Sequence, residues 1–396
     1  MKDKIKQLAK QKLAQITEYR RYLHSHPELS FEEFNTAAFV AEKLKQFNIP
    51  FKTGVAGTGI VGLIEGKNPS KKVIALRADM DALPITETND VEYKSQNIGV
   101  MHACGHDVHT SSLLGTALIL SELKNEFEGT VKLIFQPGEE KFPGGASLMI
   151  QEGVLENPSP AGIFGQHVMP FIDAGKVGFR KGMYMASADE LHVTVKGKGG
   201  HAAMPYLNVD PVLIAAHIIV ALQQIVSRVG NPNIPTVLSF GKVIANGATN
   251  VIPGEVKMEG TFRTLNEKWR AEAHVKIKRM AESIAEGMGG TCEFNILKGY
   301  PFLVNEEHLT DSARKNAEDY LGKENVQDLD IWMAAEDFAF YSQEINACFY
   351  RLGIRNEARG ITSSVHTPTF DIDENALETG MGLMAWLTLK ELETPA

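Results

Sequence analysis

The sequence predicts an α/β protein in two domains, with a smaller α+β domain inserted into a larger one. Three observations carry this. From residue 4 to residue 168, amphipathic helical stretches alternate with short apolar strands, the order of an α/β layer fold. Between 191 and 297 the order changes to β-α-β-β-α-β, that of a ferredoxin-like sandwich. From about Pro301 the helix–strand alternation resumes, so the first domain is interrupted rather than followed by the second. A chain of 396 residues also exceeds what one compact core accommodates. The expected domains are residues 1–182 with 300–396, and residues 183–299 between them.

Residues 4–24 and 34–47 carry apolar side chains at helical spacing. Gly59 to Ile64 and Val73 to Leu76 read as strands, residues 108–124 as a largely apolar helix, and Val131 to Phe135 as a buried strand ended by Gln136-Pro137-Gly138. A helix over 145–152 and a strand from Ile163 to Val168 follow. In the insert, Leu191 to Val195 alternates apolar and polar residues as a half-exposed strand does. The helix from Pro211 to Val229 has proline in its first turn, where the missing N–H costs nothing. Strands at 236–244 and 255–264, a charged helix from about 266 to 287 and a strand from Cys292 to Leu297 complete the set. A sheet of this order leaves an edge exposed, which favours pairing with a second copy.

Composition narrows the function classes. At 43% hydrophobic and 22% charged, the chain is an ordinary globular one. Its net charge of −9 argues against nucleic acid or an anionic membrane as the main partner. The three cysteines, Cys104, Cys292 and Cys348, make a poor disulfide framework. The N-terminal stretch lacks an unbroken apolar region of the secretory kind, and no apolar run is read as long enough to span a bilayer. The expectation is a cytoplasmic soluble protein.

The chemistry is concentrated in a few clusters. In Met101-His102-Ala103-Cys104-Gly105-His106-Asp107-Val108-His109, glycine lets the backbone turn so that a thiolate and an imidazole converge. That pair suits a borderline-soft divalent metal. The competing readings are a small buried cysteine and a helix start capped by Asp107. Gln136-Pro137-Gly138-Glu139-Glu140 follows a buried strand, the usual place for an active site in an open α/β sheet. Two adjacent carboxylates there point in different directions, so one can bind metal while its neighbour holds a water. A solvated acidic turn is the alternative. His167 ends an apolar strand, and His366 lies in Ser363-Ser364-Val365-His366-Thr367-Pro368. Together with the first two clusters they make one thiolate, three imidazoles and one carboxylate, enough for two metals sharing a bridging thiolate. Arg77-Ala78-Asp79-Met80-Asp81 sits at a strand end, where buried carboxylates would orient ligand imidazoles. In the insert, His201 lies in a flexible Gly199-Gly200 loop, Asn250 in a polar hairpin turn over 247–253, and Arg263 on a polar strand face. Arginine grips a carboxylate with two hydrogen bonds, although taken by itself Arg263 reads first as a solvated surface charge.

The ordered motifs resemble the co-catalytic metallopeptidase clan of aminoacylases and glutamate carboxypeptidases. The resemblance rests on Arg21-Tyr22-Leu23-His24-Ser25-His26-Pro27-Glu28-Leu29-Ser30, the Arg77–Pro84 segment, Cys104-Gly105-His106-Asp107, Gln136 to Glu140, Gly199-Gly200-His201 and Ser364 to Pro368. It is strongest with the amidohydrolase branch: hippurate hydrolases, N-acyl-amino-acid amidohydrolases, N-acetyldiaminopimelate deacetylases and auxin-conjugate hydrolases. It implies a catalytic domain with a mixed sheet flanked by helices, and an inserted ferredoxin-like lid and dimerisation domain. It implies two divalent ions (Zn, Mn, Ni or Co) with Cys104 as the bridge and His106, Glu140, His167 and His366 as the other ligands. Glu139 would be the general base and Asp81 would orient a ligand histidine. His201, Asn250 and Arg263 would contact substrate, with His201 aiding the oxyanion and, as the resemblance implies, reaching the partner subunit's site in a homodimer. Peptidase relatives have a metal-binding histidine where this chain has Asp79, so Asp79 is not carried over as a ligand. His102 and His109 receive no role. The implied reaction is hydrolysis of a small N-acyl amino acid; the alternatives are a di- or tripeptide exopeptidase on the same scaffold and a non-catalytic metal- or metabolite-binding protein.

Overall fold

A computed structural model describes residues 1–395. The chain divides into two compact units, one of residues 1–182, 304–331 and 337–396, the other of residues 183–303 and 332–336. The sequence placed 300–303 and 332–336 in the outer domain. Residues 332–336 join the second unit because Trp332 N–H donates to Tyr184 O at 2.9 Å and Trp332 bridges Met185 in parallel register.

The first unit is built on a mixed eight-stranded sheet. Its strands lie in the order Phe51–Val55, Gly59–Glu65, Thr130–Gln136, Val73–Asp79, Gly162–Asp173, Ala347–Arg355, Val177–Phe179 and Val326–Asp328. The central strands 130–136, 73–79, 162–173 and 347–355 are mutually parallel, and 59–65 pairs antiparallel with 130–136. Strands buried on both faces read as continuous apolar runs, and every residue of Val73–Asp79 and Thr130–Gln136 is buried. Helices Lys2–Ser25, His106–Glu122 and Ala376–Glu393 pack on one another and supply much of the core, including Ile16, Leu113, Ala117, Leu383 and Leu387. The 51–55 strand was not expected, because Phe51-Lys52-Thr53-Gly54-Val55 is polar at its centre and lies at the sheet edge.

The second unit carries the expected order of elements. Its antiparallel sheet runs Thr236–Ile244, Glu255–Thr264, Asp189–Lys196, Thr291–Lys298. Helices Pro211–Gln224 and Glu267–Gly287 pack together, and their apolar sides join the sheet residues Leu191, Val193, Val256 and Phe294 in one core. Asp210 caps the first of these helices, accepting from the backbone N–H groups of Val212 and Leu213. The helical stretch Pro211–Val229, ending in a π turn over Ile225–Val229, is long and apolar enough to cross a membrane by length and composition. This corrects the reading that no such run exists. One side of it packs in the core through Ile214, Ile218 and Leu222, while Val212, Leu213 and Val220 stay exposed. The 247–253 segment is more than a hairpin turn: Val251–Ile252 pairs with Gly200–His201 in a two-stranded ribbon.

Candidate metal centre

Three adjacent parallel strands deliver the site. Asp79 and Gln136 stand opposite each other at the carboxyl ends of strands 73–79 and 130–136. On the next strand over, Arg77 is paired with Gly165, two residues before His167. Side chains that leave these ends converge on one edge of the sheet. Helix His106–Glu122 begins at the same edge, with Gly105 before it at φ 82°. A Cβ there would lie 2.6 Å from Val168 Cγ2, so glycine is required both for the left-handed turn and for close packing. His366 arrives from the other end of the chain at φ 61°, held by its N–H to Ala103 O at 2.8 Å. A non-glycine residue in the left-handed region is uncommon and concentrates at functional sites.

These segments bring Cys104, His106, Glu140, His167 and His366 together. Cys104 Sγ lies 3.5 Å from His167 Nε2 and 3.3 Å from His366 Nε2. Glu140 Oε1 is 3.2 Å from His366 Nε2 and 3.9 Å from His106 Nε2. Two donor groups share the thiol: Cys104, His106 and His167 in one, Cys104, Glu140 and His366 in the other, each with its atoms within 4.8 Å of one another. His106 Nε2 is buried with no hydrogen-bond partner, and Glu140 Oε1 is buried with only the His366 imidazole close to it. Buried polar atoms are ordinarily paired, and an orphaned imidazole nitrogen within a thiol–imidazole–carboxylate set fits divalent cations. Glu139 is buried alongside, with Oε2 4.0 Å from His106 Nε2 and Oε1 accepting from the Asp337 backbone N–H at 3.3 Å.

The histidines are held from behind. Asp81 Oδ1 meets His106 Nδ1 at 3.1 Å, while its Oδ2 accepts from Ser30 Oγ at 2.6 Å and from the Glu140 backbone N–H at 2.9 Å. His167 Nδ1 meets Val168 O at 2.8 Å, which leaves Nε2 facing Cys104. Asp79 has both oxygens engaged, one with Arg77 Nη1 at 2.5 Å and one with His109 Nδ1 at 2.6 Å. His109 in turn accepts the Val168 N–H on Nε2 at 2.9 Å. His109 is therefore not a bystander, as the sequence reading had it. It fixes the backbone one residue beyond His167, and the only sequence clue was its i+3 spacing from His106 on one helix face. His102 stays without a partner on either nitrogen, and burial pushes it down to about 4.

Electrostatics follow from burial and crowded carboxylates. Burial pushes the Cys104 thiol well up, reinforced by Glu140, Glu139 and Asp79; a cation at the thiol reverses that balance. For His106, burial opposes the charge but Asp79, Asp81 and Glu140 outweigh it and raise the imidazole to about 10. Burial, with Arg351 and His109 nearby, holds His167 well below the usual range and so neutral. Burial would raise Asp79, yet Arg77, His106 and His109 keep it well below the usual carboxylate range.

The remaining sequence candidates lie in the second unit. His201 and Asn250 are neighbours on the two-stranded ribbon: Ala202 N–H donates to Asn250 O at 3.0 Å, and both side chains are exposed. Arg263 is half-buried on the 255–264 strand, its Nη1 donating to Met333 O at 3.3 Å, so it is not simply a solvated charge. The sequence reading missed Arg77 and Asp337, whose buried carboxylate accepts from Arg77 Nη2 at 2.6 Å. Ala334-Ala335-Glu336-Asp337-Phe338 carries no periodicity or ligand spacing that would have marked it.

Amide or ester hydrolysis uses a cation set with a buried carboxylate beside it, and the class that this fold and site define is the metal-dependent hydrolases. Among known families, the model of "Peptidase family M20/M25/M40" matches residues 75–390, and the chain belongs to that family. It is 42% identical over 304 residues to the N-acyl-L-amino acid amidohydrolase of Geobacillus stearothermophilus, covering 77% of this chain and 81% of that one. It is 38% identical over 376 residues to the N-acetylcysteine deacetylase of Bacillus subtilis, covering 95% and 96%. Its structure superposes with a TM-score of 0.82 on the Bacillus subtilis YXEP protein, described as a dinuclear metal binding peptidase of the M20 family, at 34% identity over 97% of this chain and 99% of that chain.

Proposed function

We propose that this protein is a metal-dependent amidohydrolase that cleaves the amide bond of N-acyl amino acids, releasing a carboxylic acid and a free amino acid. The observation that carries it is the division between Glu139 and Glu140. Glu140 faces His366, His106 and Cys104, whereas Glu139 is buried next to them with one oxygen anchored by a backbone N–H. In this reading Cys104, His106, Glu140, His167 and His366 would hold two divalent cations. Divalent cations held there would supply Lewis acidity for an amide carbonyl and for water. Glu139 takes the proton of the attacking water and returns it to the departing amine. Asp81 and the Val168 carbonyl keep His106 and His167 turned so that their Nε2 atoms face the centre. His201 would stabilise the developing oxyanion, Asn250 would contact substrate, and Arg263 would hold the α-carboxylate through a two-pronged hydrogen bond.

The relatives' names support the substrate class, since one acts on N-acyl-L-amino acids and another is a deacetylase of N-acetylcysteine. Protein reconstituted with Zn, Mn, Ni or Co should hydrolyse N-acetyl or N-benzoyl amino acids faster than dipeptides. Faster dipeptide cleavage would favour the exopeptidase reading, and no hydrolysis across a broad panel with metal bound would leave only a binding protein. Glu139→Ala should keep its metal and lose nearly all turnover; substantial residual activity would remove Glu139 as the base.

A homodimer belongs to the same reading. The 236–244 strand is an edge of its sheet, with Val243 and Ile244 exposed, and the neighbouring long helix exposes Val212, Leu213 and Val220. An unpaired edge beside exposed apolar side chains suits a second copy of the chain. Val220→Glu with Leu213→Glu should give a monomer in analytical ultracentrifugation; a monomeric parent protein at tens of micromolar would exclude the dimer.

A further inference from the structure

We propose that Asp337 is a positioning residue for Glu139, acting through its own backbone and through the buried guanidinium of Arg77. The inference rests on the reading of Glu139 as the general base.

The geometry begins at the acid itself. Glu139 Oε1 accepts the Asp337 backbone N–H, so the segment at 337 decides where one oxygen of the base sits. Asp337 is 0% exposed, and its carboxylate is fixed by donors from three elements. Arg77 Nη2 donates to Oδ1 at 2.6 Å, Gln136 Nε2 donates to both oxygens at 2.8 Å, and the Ala146 N–H donates to Oδ2 at 2.9 Å. Gln136 begins the segment that carries Glu139 and Glu140, and its own Oε1 accepts from Arg77 Nε at 2.9 Å. The base is thereby held from two sides by one knot: through its chain via Gln136, and through its side chain via Asp337.

Arg77 extends the knot to the other half of the centre. Its Nη1 donates to Asp79, which holds His109, which holds the Val168 N–H beside His167. One planar guanidinium with five donors can bind Asp337, Gln136 and Asp79 in a single fixed arrangement, a geometry lysine cannot reproduce. Base and metal-binding histidine are therefore located against the same rigid group. Catalysis is sensitive to such placement, since a misplacement of about 1 Å costs on the order of a hundredfold.

Asp337→Asn tests this, because these three groups facing the carboxylate are donors and an amide nitrogen must then meet one of them. Turnover of an N-acetyl amino acid should fall about tenfold to a hundredfold in kcat, with KM within about threefold of the parent and metal content unchanged by inductively coupled plasma mass spectrometry. In a Glu139→Asp background, where the shortened acid no longer reaches the Asp337 N–H, adding Asp337→Asn should cost less than about threefold more. Unchanged kcat, metal loss in proportion to lost activity, or full multiplication of the two single effects would overturn the proposal. Should Asp337→Asn not fold, Gln136→Leu removes the shared amide and should lower kcat several-fold at constant KM and metal content; parent-like kcat there would equally refute it. High turnover by Glu139→Ala would instead defeat the reading of the base, whatever Asp337→Asn does.

Discussion

Gly105→Ala puts the local geometry of the centre to a quantitative test, because it alters no functional group. Gly105 sits at φ 82°, between Cys104 and His106. An L side chain in the left-handed region costs about 1–2 kcal/mol. The added methyl would also lie 2.6 Å from Val168 Cγ2 and 3.2 Å from Cγ1. Val168 is buried and β-branched, so it cannot swing aside by a rotamer change. Overpacking of this kind typically costs about 1–3 kcal/mol. The two effects act on the same turn and sum to about 2–5 kcal/mol. Val168 also follows His167 and donates its N–H to His109, so relief of the clash displaces the strand end that carries a proposed ligand. Urea denaturation of parent and variant at matched metal concentration measures the stability loss, because bound metal stabilises the folded state. Metal content and kcat measured on the same preparations should fall together, kcat at least tenfold. A stability loss under about 1 kcal/mol with two metals retained and turnover within twofold would refute the reasoning.

Other perturbations probe different parts of the molecule. Cys104→Ala should prevent binding of the second cation, and two tightly bound metals per chain in that variant would contradict the bridge. Asp107→Asn should cost about 1.5–3 kcal/mol in denaturant unfolding, since it removes the charged partner 2.7 Å from Nε of a fully buried Arg20, which keeps Asp371 at 3.0 Å and Glu374 at 3.7 Å; a loss below about 0.5 kcal/mol would count against it. Lys132, on the 130–136 strand, donates only to the carbonyls of Val154 and Glu156, and burial lowers it to about 8. A folded-state value below the unfolded one means that the native chain gives up the proton first, so between pH 8 and 10.5 the unfolded chain holds more protons and stability rises with pH, by at most about 3 kcal/mol. Comparing denaturation of parent and Lys132→Met across that range isolates the effect; identical pH slopes would exclude it.

Much of this protein is legible in one dimension because its elements are defined by local rules. Continuous apolar runs mark strands buried on both faces, and the 3.6-residue spacing over residues 2–25 marks a helix with one side in the core. The candidate ligands were legible for a related reason. Thiol, imidazole and paired carboxylates in turn segments after strands marked the clusters that hold Cys104, His106, Glu140, His167 and His366, but each had a structural alternative, and it was the order of the motifs along the chain, resembling a family, that proposed them as one ligand set.

The supports of the site were decided only by tertiary packing. Arg77 and Asp337 are 260 residues apart and share no spacing rule, yet they meet at 2.6 Å. His109 looked surplus beside His106 until the fold set Asp79 on one ring nitrogen and the Val168 N–H on the other. Asp79 lies beside the centre, its Oδ2 3.8 Å from His106 Nε2, and it is Arg77 and His109 that engage its two oxygens. The sequence by itself determined which donors exist and which strand or helix end carries each. The tertiary structure decided which of them face one another, because the partner of a buried polar group is whatever the fold brings within hydrogen-bond reach, at any separation along the chain.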